Sequence, residues 1–406
     1  MLVFDMDTSE SSRYRDFVWA TQLNRLSLEL VGLWPKTDGI VKRRLGPDFR
    51  AGFAFIMITF VSGIPMIHAL MRVWGDMTLM IENLRITLPT AINLLKLVVM
   101  RWKQSVLLSI LNMIKEDWMT LNVDTERDTI VKRMRIVRMI VISAYVLMTV
   151  TFIAMISFSF FGLSFRHLTN LTDGNKPFLL QAYYFYDTDK SPLFEFTYFT
   201  QILALFQMVV IYVSVDSFFG FVICHICGQL ENFRCQLDNL VAGKEFNKAL
   251  GDNVMTHLRL IRYVDQIEDI FTSILLGSLI YFAIVFCLAG FMFVVVISNE
   301  KINAASFSRL YYSIAAIIIL FSQMFFYCYA GELLTEQCEA NYRAVYNLDW
   351  YKWEPKQMRN LVILMIRIQK PFRITAGKIV PLTMTTFCSL IKTSVGYVSF
   401  LLTIQN

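Results

Sequence analysis

The chain has 406 residues, 56% of them hydrophobic and 17% charged, with mean hydropathy +0.50 and a net charge of +6. A soluble domain carries about 25% charged residues, so this balance excludes an ordinary soluble protein and predicts an all-α polytopic membrane protein. The four histidines (His68, His167, His225, His257) lie far apart and no Gly-rich loop follows a strand, so nothing points to an enzyme active site, a cofactor or nucleic acid.

From the N-terminus, Phe17, Leu23, Leu26, Leu30 and Leu33 recur near helical spacing, predicting an amphipathic helix over 12–34 that stops at Pro35. It either lies in the membrane interface or packs under the cytoplasmic ends of the other helices. No cleavable signal peptide precedes the first apolar stretch, which itself serves as the insertion signal. Seven spans follow, at roughly 51–71, 78–100, 137–161, 194–226, 268–297, 309–334 and 378–404. The second carries Glu82, Asn83, Arg85, Asn93 and Lys96 and must face protein or a cavity rather than lipid; Glu82 and Arg85, three apart, share a helix face.

Lys and Arg set the orientation. Segments 1–50, 101–138, 227–265 and 335–374 hold eight, eight, five and seven of them; segments 72–77, 162–193 and 298–309 hold one, three and two. The N-terminus is therefore expected in the cytoplasm and the C-terminus outside. The single Asn-x-Ser/Thr sequon, Asn170-Leu171-Thr172, falls in an outer segment and is the expected glycosylation site. None of the seven cysteines falls in an outer loop, so no outer disulfide is expected. The lone Cys224-His225-Ile226-Cys227 cluster has no second ligand pair for a metal. Segment 162–193, with two prolines and three tyrosines, reads either as a lid over the outer mouth or as a solvated connector.

After the sixth span a polar helix continues through Glu332, Glu336 and Glu339. Asn347-Leu348-Asp349 breaks it, and Pro355 starts a second, amphipathic helix at its N1 position. The last span is unusual for an anchor. Thr383, Thr385, Thr386, Ser389, Thr393, Ser394, Ser399 and Thr403 spread hydroxyls along it, and Lys392 lies inside it. Such groups are tolerated where they face protein or water. The helix is either the wall of a water-filled path or a packed helix whose hydroxyls bond their own i−4 carbonyls, and it is expected to carry no further cytoplasmic domain.

The closing order Ala344-Val345-Tyr346…Trp350-Tyr351…Ile366-Arg367…Lys370-Pro371…Ala376-Gly377…Phe387…Ile391-Lys392-Thr393-Ser394…Ser399-Phe400…Leu402 resembles the signature end of insect odorant receptors. Asp216 to Leu240, with His225, Gln229-Leu230 and Leu237, and Gly32-Leu33-Trp34-Pro35 are similar too. The resemblance implies a ligand-gated, non-selective cation channel of four subunits around a central pore, opened by a small volatile odorant or pheromone. The short 227–265 segment is unlike the longer one of the shared co-receptor. The resemblance therefore implies a tuning subunit that forms a heterotetramer with that co-receptor, in the plasma membrane of sensory-neuron dendrites.

The implied organisation is a cytoplasmic segment at 1–50, a ligand-sensing six-helix bundle at 51–334 with an extracellular loop at 162–193, a cytoplasmic anchor at 335–377 and a pore helix at 378–406. The implied pore stripe is Val395, Ser399, Leu402, Gln405 and Asn406. The implied odorant site lies in the outer half, at Ile81, Leu84, Phe158, Phe161, Tyr198, Ile202, Tyr311 and Ile314. A gustatory receptor-type channel shares this plan. A seven-helix G-protein-coupled receptor conflicts with the expected orientation.

Overall fold

The computed structural model describes residues 3–35, 45–121, 124–161, 168–169, 171–172, 177–240, 245–299 and 304–405. Helix α1 (Val3–Leu30) ends in a turn at Gly32, whose φ of +74° is a left-handed conformation that favours glycine. A Cβ there would stand 2.2 Å from the Pro47 carbonyl oxygen, so Gly32 lets the start of α2 close on the end of α1.

The first span is built from α2 (Leu45–Ile56), a π-helical segment (Met57–Gly63) and α3 (Ile64–Arg72). Helix α4 (Met77–Trp102) begins at Asp76, whose side chain accepts from the Leu79 amide at 3.1 Å and caps the first turn. A short helix, α5 (Gln104–Thr120), follows at once. Then come α6 (Asp124–Phe160), α7 (Leu193–Asp238), α8 (Phe246–Asn299) and α9 (Ala304–Tyr346). Beyond α9 lie a 3-10 turn at Trp350–Lys352, α10 (Pro355–Ile368) with Pro355 at its first turn, a two-stranded hairpin of β1 (Thr375–Ala376) and β2 (Val380–Pro381), and α11 (Met384–Gln405).

Six stretches among the described residues are long and apolar enough to cross a bilayer: 46–72, 79–102, 124–160, 193–238, 246–291 and 313–352. Helix α11, with 22 residues, spans about 33 Å at 1.5 Å per residue. The protein is thus an all-helical, multi-pass membrane protein. Helices α6 to α9 run well past a membrane thickness, and their extensions build a helical mass on the side that carries most of the Lys and Arg. There α1 lies against α5, α6 and α7. Helix α5 replaces what the sequence read only as a basic connector; its buried face is Leu107, Ile110, Leu111, Ile114 and Trp118.

Helix α7 is the centre of the molecule, touching α1, α4, α6, α8 and α9. From Val210 to Gly228 nearly every side chain is buried, Phe218, Phe219, Val222, Ile223 and Ile226 completely. The outer part of α7 differs: Phe196, Phe199 and Phe206 are exposed.

Candidate ligand-binding site

The site starts at the kink of the first span. Pro65 has no N–H, so it cannot bond the Val61 carbonyl four residues back. The Tyr184 hydroxyl donates to that orphaned oxygen at 2.9 Å, and the Tyr183 amide donates to the Pro65 carbonyl at 3.0 Å. Gln201, fully buried on α7, donates to the Tyr184 oxygen at 2.8 Å and accepts from the Leu180 amide at 3.4 Å. Burial pushes the Tyr184 phenol far above its ordinary range, so it remains a donor. Asn83 of α4 donates to the Gln181 carbonyl at 3.4 Å. Arg72 and His68 pack on Tyr183, with the Arg72 guanidinium 3.5 Å from the ring centroid. Residues 178–182 are consequently buried although they belong to no regular element. They form a lid pinned to α3, α4 and α7.

Under this lid lies a cavity of about 200 Å³. Leu180 is its roof. Its walls are Ile86, Pro89, Thr90 and Asn93 of α4, Met148, Thr151 and Met155 of α6, and Leu205, Met208, Val209 and Tyr212 of α7. Tyr281 and Val285 of α8 and Ala316, Ile319 and Leu320 of α9 complete it, with Arg85 at the edge. The surface is mostly apolar. The hydroxyls present are largely spent on their own helices: Thr90 donates to the Ile86 carbonyl at 3.0 Å and Thr151 to the Leu147 carbonyl at 2.9 Å. Such a cavity holds a small, mainly apolar molecule.

On the side away from the lid is a charge cluster at membrane depth. Lys96 is wholly buried; its Nζ donates to Asp216 Oδ1 at 2.7 Å and sits 4.1 Å from the Tyr212 ring centroid. The Tyr327 hydroxyl and the Gln323 amide also donate to Asp216, and the Tyr212 hydroxyl donates to Gln323 Oε1. One cation and one anion cancel, and the remaining polar atoms are bonded among themselves. This is how a charge survives away from water. The sequence marks Lys96 as a charge inside a span and Asp216 only as the start of the 216–240 resemblance; their pairing joins residues 120 apart.

The eight residues named from the resemblance occupy the same helices but stand nearer the lid end than the cavity wall. Phe158 of α6 meets Tyr311 of α9 edge-on at 5.5 Å between centroids. Tyr198 stacks on Phe194 and donates to Ser159 Oγ at 3.3 Å. Ile81 is buried, and Leu84 and Ile202 are half-buried. Phe161, at 74% exposure, and Ile314, at 41%, point away from the bundle. On each of α4, α6, α7 and α9 the cavity wall begins within one turn of the nearer named residue and one to two turns from the farther one. Glu82, Asn83, Arg85, Asn93 and Lys96 of the polar second span are all buried, as a span facing protein requires.

Helix α11 is fastened at its start. Thr383 accepts from the Thr386 amide at 3.2 Å, and Glu332 of α9 accepts from the Met384 amide at 3.1 Å. The preceding hairpin is tied to α8: Glu268 accepts from the Thr375 amide and hydroxyl, and the Gly377 amide donates to the Thr272 carbonyl at 3.0 Å. This hairpin occupies residues expected to be helical, so α11 begins at Met384 rather than near 378. Phe387 and Ser394 face α8 and α9, whereas Lys392, Val395, Ser399 and Thr403 are exposed along the opposite side. Thr393 and Thr403 bond their own i−4 carbonyls. The side chains of Leu402 and Gln405, and all of Asn406 and Asn170, lie outside the described residues.

Farther from the lid, His225 belongs to a second cluster. Asp117 of α5 accepts from His225 Nε2 at 3.0 Å, from Arg259 Nε at 2.8 Å and from the Tyr263 hydroxyl, joining α5, α7 and α8. The histidine of the Cys-His-Ile-Cys run is therefore engaged by a carboxylate.

Residues 76–395 match the family model described as 7tm Odorant receptor. Odorant receptor 13a of Drosophila melanogaster is 25% identical over 248 residues, 56% of this chain and 57% of that protein. Odorant receptor 10 of Aedes albopictus is 25% identical over 227 residues, 54% and 58%. The chain thus spans somewhat over half the length of the curated relatives it matches. The olfactory receptor OR5 of Machilis hrabei, solved in complex with eugenol, superposes with a TM-score of 0.81 over 96% of this chain and 100% of that one, at 15% identity. A second structure of the same receptor gives 0.79. Because the family model covers far more than half of the sequence and the fold agrees throughout, the chain belongs to the insect odorant receptor family.

Proposed function

We propose that the protein is the tuning subunit of an odorant-gated, non-selective cation channel, binding one small volatile in the lidded cavity beneath Leu180. The observation that carries this reading is the cavity itself: roofed by Leu180, mostly apolar and assembled from five helices that a ligand can shift relative to one another. Its volume is small against the usual range of about 300–1,000 Å³ for ligand pockets, which suits a volatile rather than a drug-sized molecule. The Machilis receptor, which has the same fold, is seen with eugenol, a molecule of that class. The mouth residues Phe158, Tyr198 and Tyr311 then act as an aromatic collar above the ligand.

In this reading the N-terminus is cytoplasmic, as the Lys and Arg distribution requires. Helix α11 lines the pore, with Val395 and Ser399 on the pore stripe and Leu402 and Gln405 near its outer end. The ligand favours a packing of α4 to α9 that draws this end away from the axis. Differential affinity for the open packing supplies the work, and no chemical step is involved. The helical mass from α10 and the ends of α7 to α9 holds subunits together, and the functional channel is a heterotetramer with the shared co-receptor.

The test is Met208→Trp, which fills the cavity from α7. Cells expressing this variant with the co-receptor lose odorant-evoked current at unchanged surface density. A dose-response equal to that of the parent chain removes the cavity from the proposal. Recording with and without the co-receptor tests the partnership separately.

A further inference from the structure

A second and larger cavity, of about 420 Å³, lies on the cytoplasmic side of the first, between α6, α7 and α9. Its rim is exposed: Ile140, Ser143 and Leu147 on α6 and Ser322 on α9. Its back wall, Val213, Ser217 and Gly220 of α7, is buried. The cavity therefore opens between α6 and α9. The apolar stretch of α6 is only 6% buried within the chain, so this opening faces the hydrocarbon of the bilayer rather than water.

Three residues, Met148, Tyr212 and Ile319, line both cavities. The partition between them is thus made of side chains. Tyr212 is held by Gln323, but Met148 is unbranched and can swing without breaking a hydrogen bond. The lid side is different. Opening there means separating Tyr184 from Val61, Gln201 from Tyr184 and Leu180, and Tyr183 from Pro65. Each of those groups would then need a new partner.

We infer that the inner cavity is a membrane-side vestibule: it takes small neutral apolar molecules from the bilayer and passes them to the lidded cavity past Met148. This rests on the reading of the lidded cavity as the odorant site. The vestibule selects by charge as well as size. Lys96 already neutralises Asp216, so an ammonium or carboxylate would bring an uncompensated charge to membrane depth. An apolar body with at most one hydroxyl enters at little cost, and such molecules already concentrate in lipid.

A route differs from an equilibrium site in what it changes. Narrowing a route slows arrival and departure by the same factor and leaves the equilibrium affinity where it was. Ala144→Trp fills the vestibule from α6 at a residue that does not line the lidded cavity. Under rapid perfusion of a neutral odorant onto cells co-expressing the co-receptor, onset and washout of the current both slow by about tenfold, the effect of a modest added barrier. The steady-state half-maximal concentration stays put. Ser322→Phe, at the exposed rim, gives the same pattern more weakly and stands in if Ala144→Trp fails to reach the surface. Unchanged kinetics in a variant at normal surface density overturn the inference. So does a shifted half-maximal concentration with unchanged washout, which would mark a second equilibrium site. If Met208→Trp leaves responses intact, the fault lies with the odorant site instead.

Discussion

Lys96–Asp216 and Arg259–Asp117 are both carboxylate–cation pairs that join three helices and draw in a tyrosine hydroxyl, yet their surroundings differ. The first lies at membrane depth, has a fully buried cation, and borders the larger cavity while sharing Tyr212 with the smaller. The second lies farther from the lid, where its arginine is 36% exposed and the neighbouring Trp118 belongs to the continuous core. One cluster sits where helices leave room and can repack. The other sits where they do not. The half of the bundle that holds the cavities and the half that is continuous core are thus built from the same chemistry at different packing.

Lys96→Met breaks the first cluster most severely. Asp216 is left without its cation in the bilayer interior, where removing one partner of a buried pair costs about 3–5 kcal/mol. The variant is expected to lose surface expression and to unfold well below the parent in detergent. Lys96→Met combined with Asp216→Leu recovers much of the loss, because two apolar side chains replace a neutral pair. If the double variant is as unstable as the single one, the pairing is not what stabilises this depth.

Asp117→Ala probes the second cluster and comes next. His225 and Tyr263 lose their acceptor in the core, each costing about 1–3 kcal/mol, while Arg259 rehydrates at little cost. Thermal stability falls, but odorant selectivity among surviving channels is unchanged. A selectivity change would mean that the second cluster, too, is coupled to the cavity.

Tyr184→Phe is milder. It leaves the Val61 carbonyl beside Pro65 without a donor, a loss of about 1–3 kcal/mol confined to the lid. Amide exchange of residues 179–186 speeds up while α7 stays protected; global acceleration would show that the lid is part of the core rather than a cover on it.

Much of this was legible in the residues. Apolar run lengths located the membrane helices, Pro355 the start of α10, and the charges of α4 its burial. What escaped depends on contacts remote in sequence. Nothing local to Tyr184 announces that it will satisfy a carbonyl freed by Pro65, and nothing near Asp216 names Lys96. Helix α5 went unseen because its apolar face is interrupted by the charges that face water. The residues named from the resemblance and the wall of the cavity share α4, α6, α7 and α9 without coinciding: the named aromatics cluster near the lid, and the space opens where Pro89, Ala316 and the methionines leave it. A cavity is defined by what side chains fail to fill, and a single sequence records only what they are.

The smallest expected effect is in the continuous-core half and depends on pH. His257 lies on the N-terminal extension of α8, stacked between Phe233 of α7 and Phe372 beyond α10, with ring centroids 5.8 and 5.6 Å away. Burial, helped by the nearby Arg367, lowers its pKa from 6.5 to about 4. The unfolded chain takes up this proton near pH 6.5, the folded chain only near pH 4, so acid favours unfolding across that window. The histidine's contribution is fully present above pH 6.5 and is lost progressively as pH falls toward 4. His257→Phe keeps the stack and removes the titration. Melting curves of the two proteins are therefore parallel above pH 6.5, and the variant loses less between pH 6.5 and 4.5. Equal losses over that range would mean that His257 is open to water, and that the continuous-core half is looser than the contrast with the cavity-bearing half requires.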